Sequence, residues 1–229
     1  MKNLKDIIQE RLHINKDIDN NPYNYHPTTN DELQELIIKL IKERGYNADL
    51  NDIDTSEITD MTSLFYKSDF NGDISQWNVN NVKDMSYMFC QSKLTCENGD
   101  LSNWDVSNVE NMRYMFCDSK FDGDISNWDV SNVKSMQYMF DYSKFDGNIS
   151  KWDVSNVENM YGMFEYSKFT GKNGDISEWD VSNVKDMGNM FYESHFNGDI
   201  SNWDVSNVKD MIYIFKNSPL EKNPPKWYK

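Results

Sequence analysis

Asp73, Asp100, Asp124, Asp175 and Asp199 each close the same short word, a glycine followed by an aspartate, and Asn148 holds that place in one further copy. A ladder of carboxylates along one edge could bind Ca2+, because hard cations gather several oxygen ligands. Asp-Gly is also ordinary turn chemistry, in which the carboxylate caps the following backbone. The calcium-binding nonapeptide pattern is not present, so the turn reading is preferred over calcium and no metal ligand is assigned. A second row, Asp105, Asp129, Asp153, Asp180 and Asp204, follows successive tryptophans. It reads as side chains hydrogen-bonding backbone amides of the next turn.

Tyrosines form the other chemical row. Tyr87, Tyr114, Tyr138 and Tyr213 share one register of a recurring word, and Tyr142, Tyr166 and Tyr192 add rings nearby. Exposed tyrosines favour protein recognition and can stack on sugars. The same rings would serve equally to cover a seam between neighbouring helices. These seven positions are the candidate binding surface, with a protein as the expected partner.

Catalysis finds little support. The histidines are His13, His26 and His195, and His195 sits where other copies carry Lys120, Lys144 and Lys168. No nucleophile, base and orienting group can be placed together, and no glycine-rich phosphate loop is present. A glycosidase pair needs a cleft that raises one carboxyl pKa, which a regular stack does not offer. The expectation is no enzyme, no catalytic residue and no cofactor. Cys90, Cys96 and Cys117 are odd in number, which leaves one unpaired in any internal disulfide scheme. Cys90 and Cys117 share a register with Asp141, Glu165, Tyr192 and Lys216. A place that accepts charge reads as solvent-facing, and the thiols as free.

The elements that would carry these rows repeat. Trp77, Trp104, Trp128, Trp152, Trp179, Trp203 and Trp227 are spaced by 27, 24, 24, 27, 24 and 24 residues. Each long gap holds three extra residues before Gly-Asp, at 94–100 and 169–175, as a surface loop allows. A degenerate copy, "IDTSEITDMTSLF", occupies 53–65. In the copy at 124–148, Ile125, Trp128 and Val130 suit a short strand. Ser131 and Asn132 suit a helix N-cap. Val133, Met136, Met139 and Phe140 follow at i, i+3, i+6 and i+7, the spacing of one helix face. A unit of one short strand, one short helix and a glycine turn cannot stand alone, and stacking makes its core continuous.

The predicted fold is therefore an α/β solenoid, a leucine-rich-repeat-like stack of short strand plus short helix units with an N-terminal helical cap. Residues 1–20 form an amphipathic segment, either a cap or a docking tag. Residues 21–49 form a linker and capping helix, and 50–229 the solenoid with its 24-residue period. The helix is predicted over 31–44, where Leu33, Leu36, Ile37, Leu40 and Ile41 make a stripe that Gly45 stops.

The formal net charge is −15. Such a surface repels nucleic acid and anionic membranes and favours basic partners. No stretch is apolar enough for a membrane span or a secretory segment. The expected location is cytoplasmic or virion-associated, or the cell surface if the N-terminus is incomplete.

The word W-D-V-S-N-V-x-x-M-x-x-M-F at 104–116, 128–140, 152–164, 179–191 and 203–215, with a near match at 77–89, resembles the BspA-like leucine-rich-repeat surface proteins. That group is also described as DUF285, with a mycoplasma lipoprotein-type repeat. The resemblance implies bacterial, protist or phage-encoded surface proteins, often adhesive. The function expected is a non-catalytic protein-binding or structural repeat protein, phage- or bacterium-encoded. The alternatives are a bacterial cell-surface adhesin and an acidic decoy that mimics DNA.

Overall fold

The computed structural model describes residues 22–228. The segment 1–20, expected as a cap or docking tag, lies outside the described residues, as does His13.

Helix α1 runs Asn30–Arg44. The Thr29 hydroxyl accepts the Glu32 N–H at its start (3.3 Å), an N-cap that satisfies one orphan donor. Asp31 and Glu32 lie in the first turn and Lys42 and Arg44 in the last, which matches the helix dipole at both ends. Leu33, Leu36, Ile37 and Leu40 are buried. The Asn30 amide donates to the carbonyls of Asp60 and Thr62 (3.1 Å each). Arg44 grips Asp52 with two bonds of 2.8 Å, and this bond holds the Asp52 carboxyl below its usual range. Together these contacts fix α1 against residues 49–62.

From Leu50 onward the chain winds in coils that begin at Leu50, Ile74, Leu101, Ile125, Ile149, Ile176 and Ile200. The coil beginning at Ile125 shows how. Turns close between Ile125 and Trp128, Val130 and Val133, Met136 and Met139, Tyr138 and Asp141, and Phe140 and Ser143, each by an N–H to the carbonyl three residues back. Between these, alternate amides leave the coil. Met136, Tyr138, Phe140 and Tyr142 donate to Asn159, Tyr161, Met163 and Glu165 of the next coil, at 2.9–3.0 Å. A file of single-residue parallel bridges through Asp60, Asp84, Asn111, Ser135, Asn159, Asp186 and Asp210 also joins the coils.

This overturns the predicted α/β solenoid of strand-plus-helix units. Among the described residues there is one α-helix, α1, one short 3-10 turn at Pro219–Glu221, and no β-strand. A helix would send each N–H four residues back along its own chain. Here half of the amides in the expected helix serve the neighbouring coil instead, and Tyr138 and Tyr142 sit at φ +55° and +52°, outside the right-handed helical region. The expected strand is likewise two tight turns. The apolar spacing survives because turns of three and four residues also keep Val133, Met136, Met139 and Phe140 inward, and all four are fully buried.

The core holds a phenylalanine file, a tryptophan file and a further set of buried rings, Phe70, Phe121, Phe145, Phe169 and Phe196, packed on the first. Phe65, Phe89, Phe116, Phe140, Phe164, Phe191 and Phe215 stack coil on coil at 5.6–6.1 Å. Each of the seven tryptophans donates its indole N–H to the Leu or Ile carbonyl that opens the coil before, from Trp77 to Leu50 through Trp227 to Ile200, at 2.8–3.2 Å. A buried indole N–H needs such a partner. The three extra residues at 94–100 and 169–175 leave this bond in place: Trp104 and Trp179 still reach Ile74 and Ile149 at 3.2 Å.

Candidate tyrosine recognition surface

Two positions in every coil have positive φ. The first runs Ser63, Tyr87, Tyr114, Tyr138, Gly162, Asn189 and Tyr213; the second runs Lys67, Gln91, Asp118, Tyr142, Tyr166, Glu193 and Asn217. A left-handed backbone costs a non-glycine residue about 1–2 kcal/mol. Up to Glu193 each such residue is held by its own inter-coil hydrogen bond, as Tyr114 N–H is to the Gln137 carbonyl (2.8 Å). Six of the seven expected tyrosines occupy these positions, and Tyr192 flanks Glu193.

The structure brings the seven together as two files. Tyr87, Tyr114 and Tyr138 stack at 4.5 and 4.7 Å. Tyr142 and Tyr166 stack at 4.3 Å, Tyr192 meets Tyr166 edge-on at 5.3 Å, and Tyr213 lies 6.4 Å beyond. Tyr66 and Tyr161 extend the first file from outside the seven: Tyr66 stands three places past Ser63, the counterpart of Tyr87, and Tyr161 one place before Gly162. At Gly162 the positive-φ position is vacated: a Cβ there would lie 2.4 Å from the Tyr138 ring. Tyr142 and Tyr213 are about half exposed; Tyr87, Tyr114, Tyr138, Tyr166 and Tyr192 are half-buried. Neighbouring rings occupy the faces, so the files present mainly edges and hydroxyls. Burial pushes the Tyr114 hydroxyl up to about 12, and burial with the Tyr161 hydroxyl raises Tyr138 further.

Cations and carboxylates border the rings. Arg113 lies 5.4 Å from the Tyr87 ring centre and donates to its hydroxyl (3.3 Å). Lys216 stands 4.4 Å from the Tyr213 ring and Lys67 4.9 Å from that of Tyr66. Beside the second file runs a row of Cys90, Cys117, Asp141 and Glu165. It was expected to face solvent, yet both thiols are buried and both carboxyls half-buried. The Cys117 thiol donates to Asp141 Oδ2 (3.5 Å), and Asp141 Oδ1 has no partner. Burial, and then the Glu165 carboxylate in the next coil, push Asp141 up to about 7. Burial also raises Glu165, which accepts the Asn189 amide (3.2 Å).

The carboxylate ladders work locally. Asp124 accepts the Ser126 N–H (2.9 Å), and Asp175 and Asp199 do the same for Ser177 and Ser201. Asp129, Asp153, Asp180 and Asp204 each accept the amide two residues on, at 3.0 Å. Among the described residues no group of three or more His, Cys, Asp or Glu side chains could hold a metal ion. His26 lies 3.2 Å from Asp54, and His195 Nδ1 3.0 Å from the Ser167 carbonyl.

A column of turn-built coils, with a tyrosine ridge along it and no strand or helix within the coils, defines the class. Residues 37–144, 91–174 and 119–227 match the family described as "Mycoplasma protein of unknown function, DUF285". The chain belongs to that family. The resemblance to BspA-like leucine-rich-repeat surface proteins fails, because the coils lack the strand and helix of such a unit. The readings built on that unit fail with it: the leucine-rich-repeat protein, whether binding or structural, and the leucine-rich-repeat adhesin. No curated protein and no solved structure matches the chain. No described helix is long and apolar enough to cross a membrane.

Proposed function

We propose that the tyrosine ridge recognises a basic segment of a partner protein, by binding without catalysis. The observation that carries the reading is the second file, with Tyr142 exposed and Tyr166 and Tyr192 half-buried, beside Asp141 and Glu165. Tyrosine hydroxyls bordered by carboxylates accept hydrogen bonds from guanidinium and ammonium groups, and the carboxylates add attraction through charge. The chain already shows the contact within itself, where Arg113 donates to the Tyr87 hydroxyl (3.3 Å). Left-handed positions filled by tyrosine, where the same register elsewhere holds Gly162 or Asn189, support a use for the rings. Since ring faces stack on one another, the geometry favours a protein over a sugar. A net charge of −15 adds long-range attraction for a basic partner.

The test is fluorescence anisotropy with a labelled peptide carrying arginine at alternate positions. Replacing Tyr142, Tyr166 and Tyr192 together by serine should weaken binding by about tenfold or more, on the order of a hot-spot cluster. Replacing Asp129, Asp153 and Asp180 together by asparagine removes as many charges as the first variant removes rings. It should weaken binding less than about threefold, as for rim charges. If the aspartate variant loses more than the tyrosine variant, attraction is by bulk charge and the proposal fails.

A further inference from the structure

The column has two unlike ends. At the first coil the Asn30 side chain of α1 closes the carbonyls of Asp60 and Thr62. At the last coil the main chain offers donors with nothing opposite. In the coil before, Met187, Asn189 and Phe191 donate to Asp210, Ile212 and Ile214 at 2.9 Å. The matching amides of Met211, Tyr213 and Phe215 have no acceptor among the described residues. The row ends at Asn217, whose N–H turns back to Glu221 (2.9 Å).

The apolar side chains tell the same story. Val181, Val184 and Met187 are fully buried, whereas Val205, Val208 and Met211 are only partly covered and Ile212 is half exposed. The other half of this end is closed: Trp227 stacks on Trp203 at 6.5 Å and packs on Phe215 at 5.7 Å. What stays open is one edge, about five residues long, with alternate N–H donors over an apolar floor. An edge of this kind is a template for an added segment.

We infer that this open edge takes an acidic, extended segment of another protein, which pairs its main-chain carbonyls with Met211, Tyr213 and Phe215. Every earlier coil shows the mode, since each donor row is met by alternate carbonyls of a segment running parallel to it. A second copy does not fit. The same end of another molecule would set donors against donors, and its other end is closed by Asn30 and α1. Charge selects the occupant. Residues 209–228 hold Lys209, Lys216, Lys222 and Lys226 against Asp210 and Glu221, four positive minus two negative, on a chain of net charge −15. Lys83, a counterpart of Lys209 in an earlier coil, pairs with Glu110 of the coil that follows it (3.5 Å). Lys209 has no such pair among the described residues, so a glutamate in the added segment completes the row.

The probe is a labelled heptapeptide alternating glutamate and valine, added to the full chain. Amide exchange at Met211, Tyr213 and Phe215 should slow by about tenfold or more on saturation, while interior rows stay unchanged. Changing Lys209→Glu and Lys216→Glu together should weaken binding by about tenfold, and a lysine–valine peptide should bind no better than that variant. Four outcomes overturn the inference. The three amides could already exchange as slowly as Met187 in the free chain. They could slow with protein concentration alone, which would put a second copy there. They could stay unmoved at saturating peptide, or respond equally to the lysine–valine peptide.

Discussion

Replacing Asp141 by asparagine should stabilise the protein at neutral pH and flatten its pH dependence. Asp141 stands in a half-buried row between Cys117 and Glu165, with Oδ1 unpartnered. Burial and the neighbouring carboxylate push its pKa from 3.8 to about 7. A carboxyl whose folded pKa is raised is favoured as the neutral acid. Its contribution is present in full below about 3.8 and is lost as pH rises through about 7. A tenfold change in acid constant is worth about 1.4 kcal/mol, so the ceiling is about 4 kcal/mol. The side chain is only partly buried, and solvent screening brings this to about 2 kcal/mol. Urea unfolding from about pH 4.5 to 8.5 measures it. The wild type should lose about 2 kcal/mol more than Asp141→Asn across that range, and the variant should be the more stable at the alkaline end. Parallel curves for the two proteins would refute the reasoning, because the ionised carboxylate would then be no worse placed than an amide.

Phe140 sits fully buried at the middle of the stacked file, so Phe140→Ala should cost about 3–5 kcal/mol by the same titration; a loss under about 1 kcal/mol would mean that the file does not hold the coils together. Asn132 donates to the Ser107 carbonyl at 2.7 Å from an exposed position, and Asn132→Ala should cost only about 0.5–1.5 kcal/mol. Gly162 has φ +61° and no room for a Cβ against Tyr138, so Gly162→Ala should destabilise by about 1–3 kcal/mol. It should also disturb the Tyr138–Tyr161 contact, which would show as changed tyrosine fluorescence.

Which residues face inward was legible in the sequence; the path of the backbone was not. Val133, Met136, Met139 and Phe140 are buried, but spacings of three and four suit a run of tight turns as well as a helix. The signal that separates the two lay in the tyrosine register itself. Gly162 and Asn189 stand where other coils hold Tyr87, Tyr114 and Tyr138, and a place shared by glycine and asparagine points to a left-handed backbone. That would have argued against a helix. The burial of Cys90 and Cys117 was hidden for a related reason. Asp141 and Glu165 share their register, and charge in a sequence suggests exposure, although a raised carboxyl pKa lets an acid sit half-buried as the neutral form. The stripe of Leu33, Leu36, Ile37 and Leu40 carried its helix plainly, because fifteen residues with caps at both ends leave turns no advantage.

Because alternate amides in each coil bond outward to the next, tension applied along the column passes through the interfaces in series, and the weakest gives way first. A molecule pulled by its ends would yield stepwise, coil by coil. Each rupture would free 24 or 27 residues, about 80 to 95 Å of extended chain, and the two longer steps would mark the coils that carry the three-residue insertions.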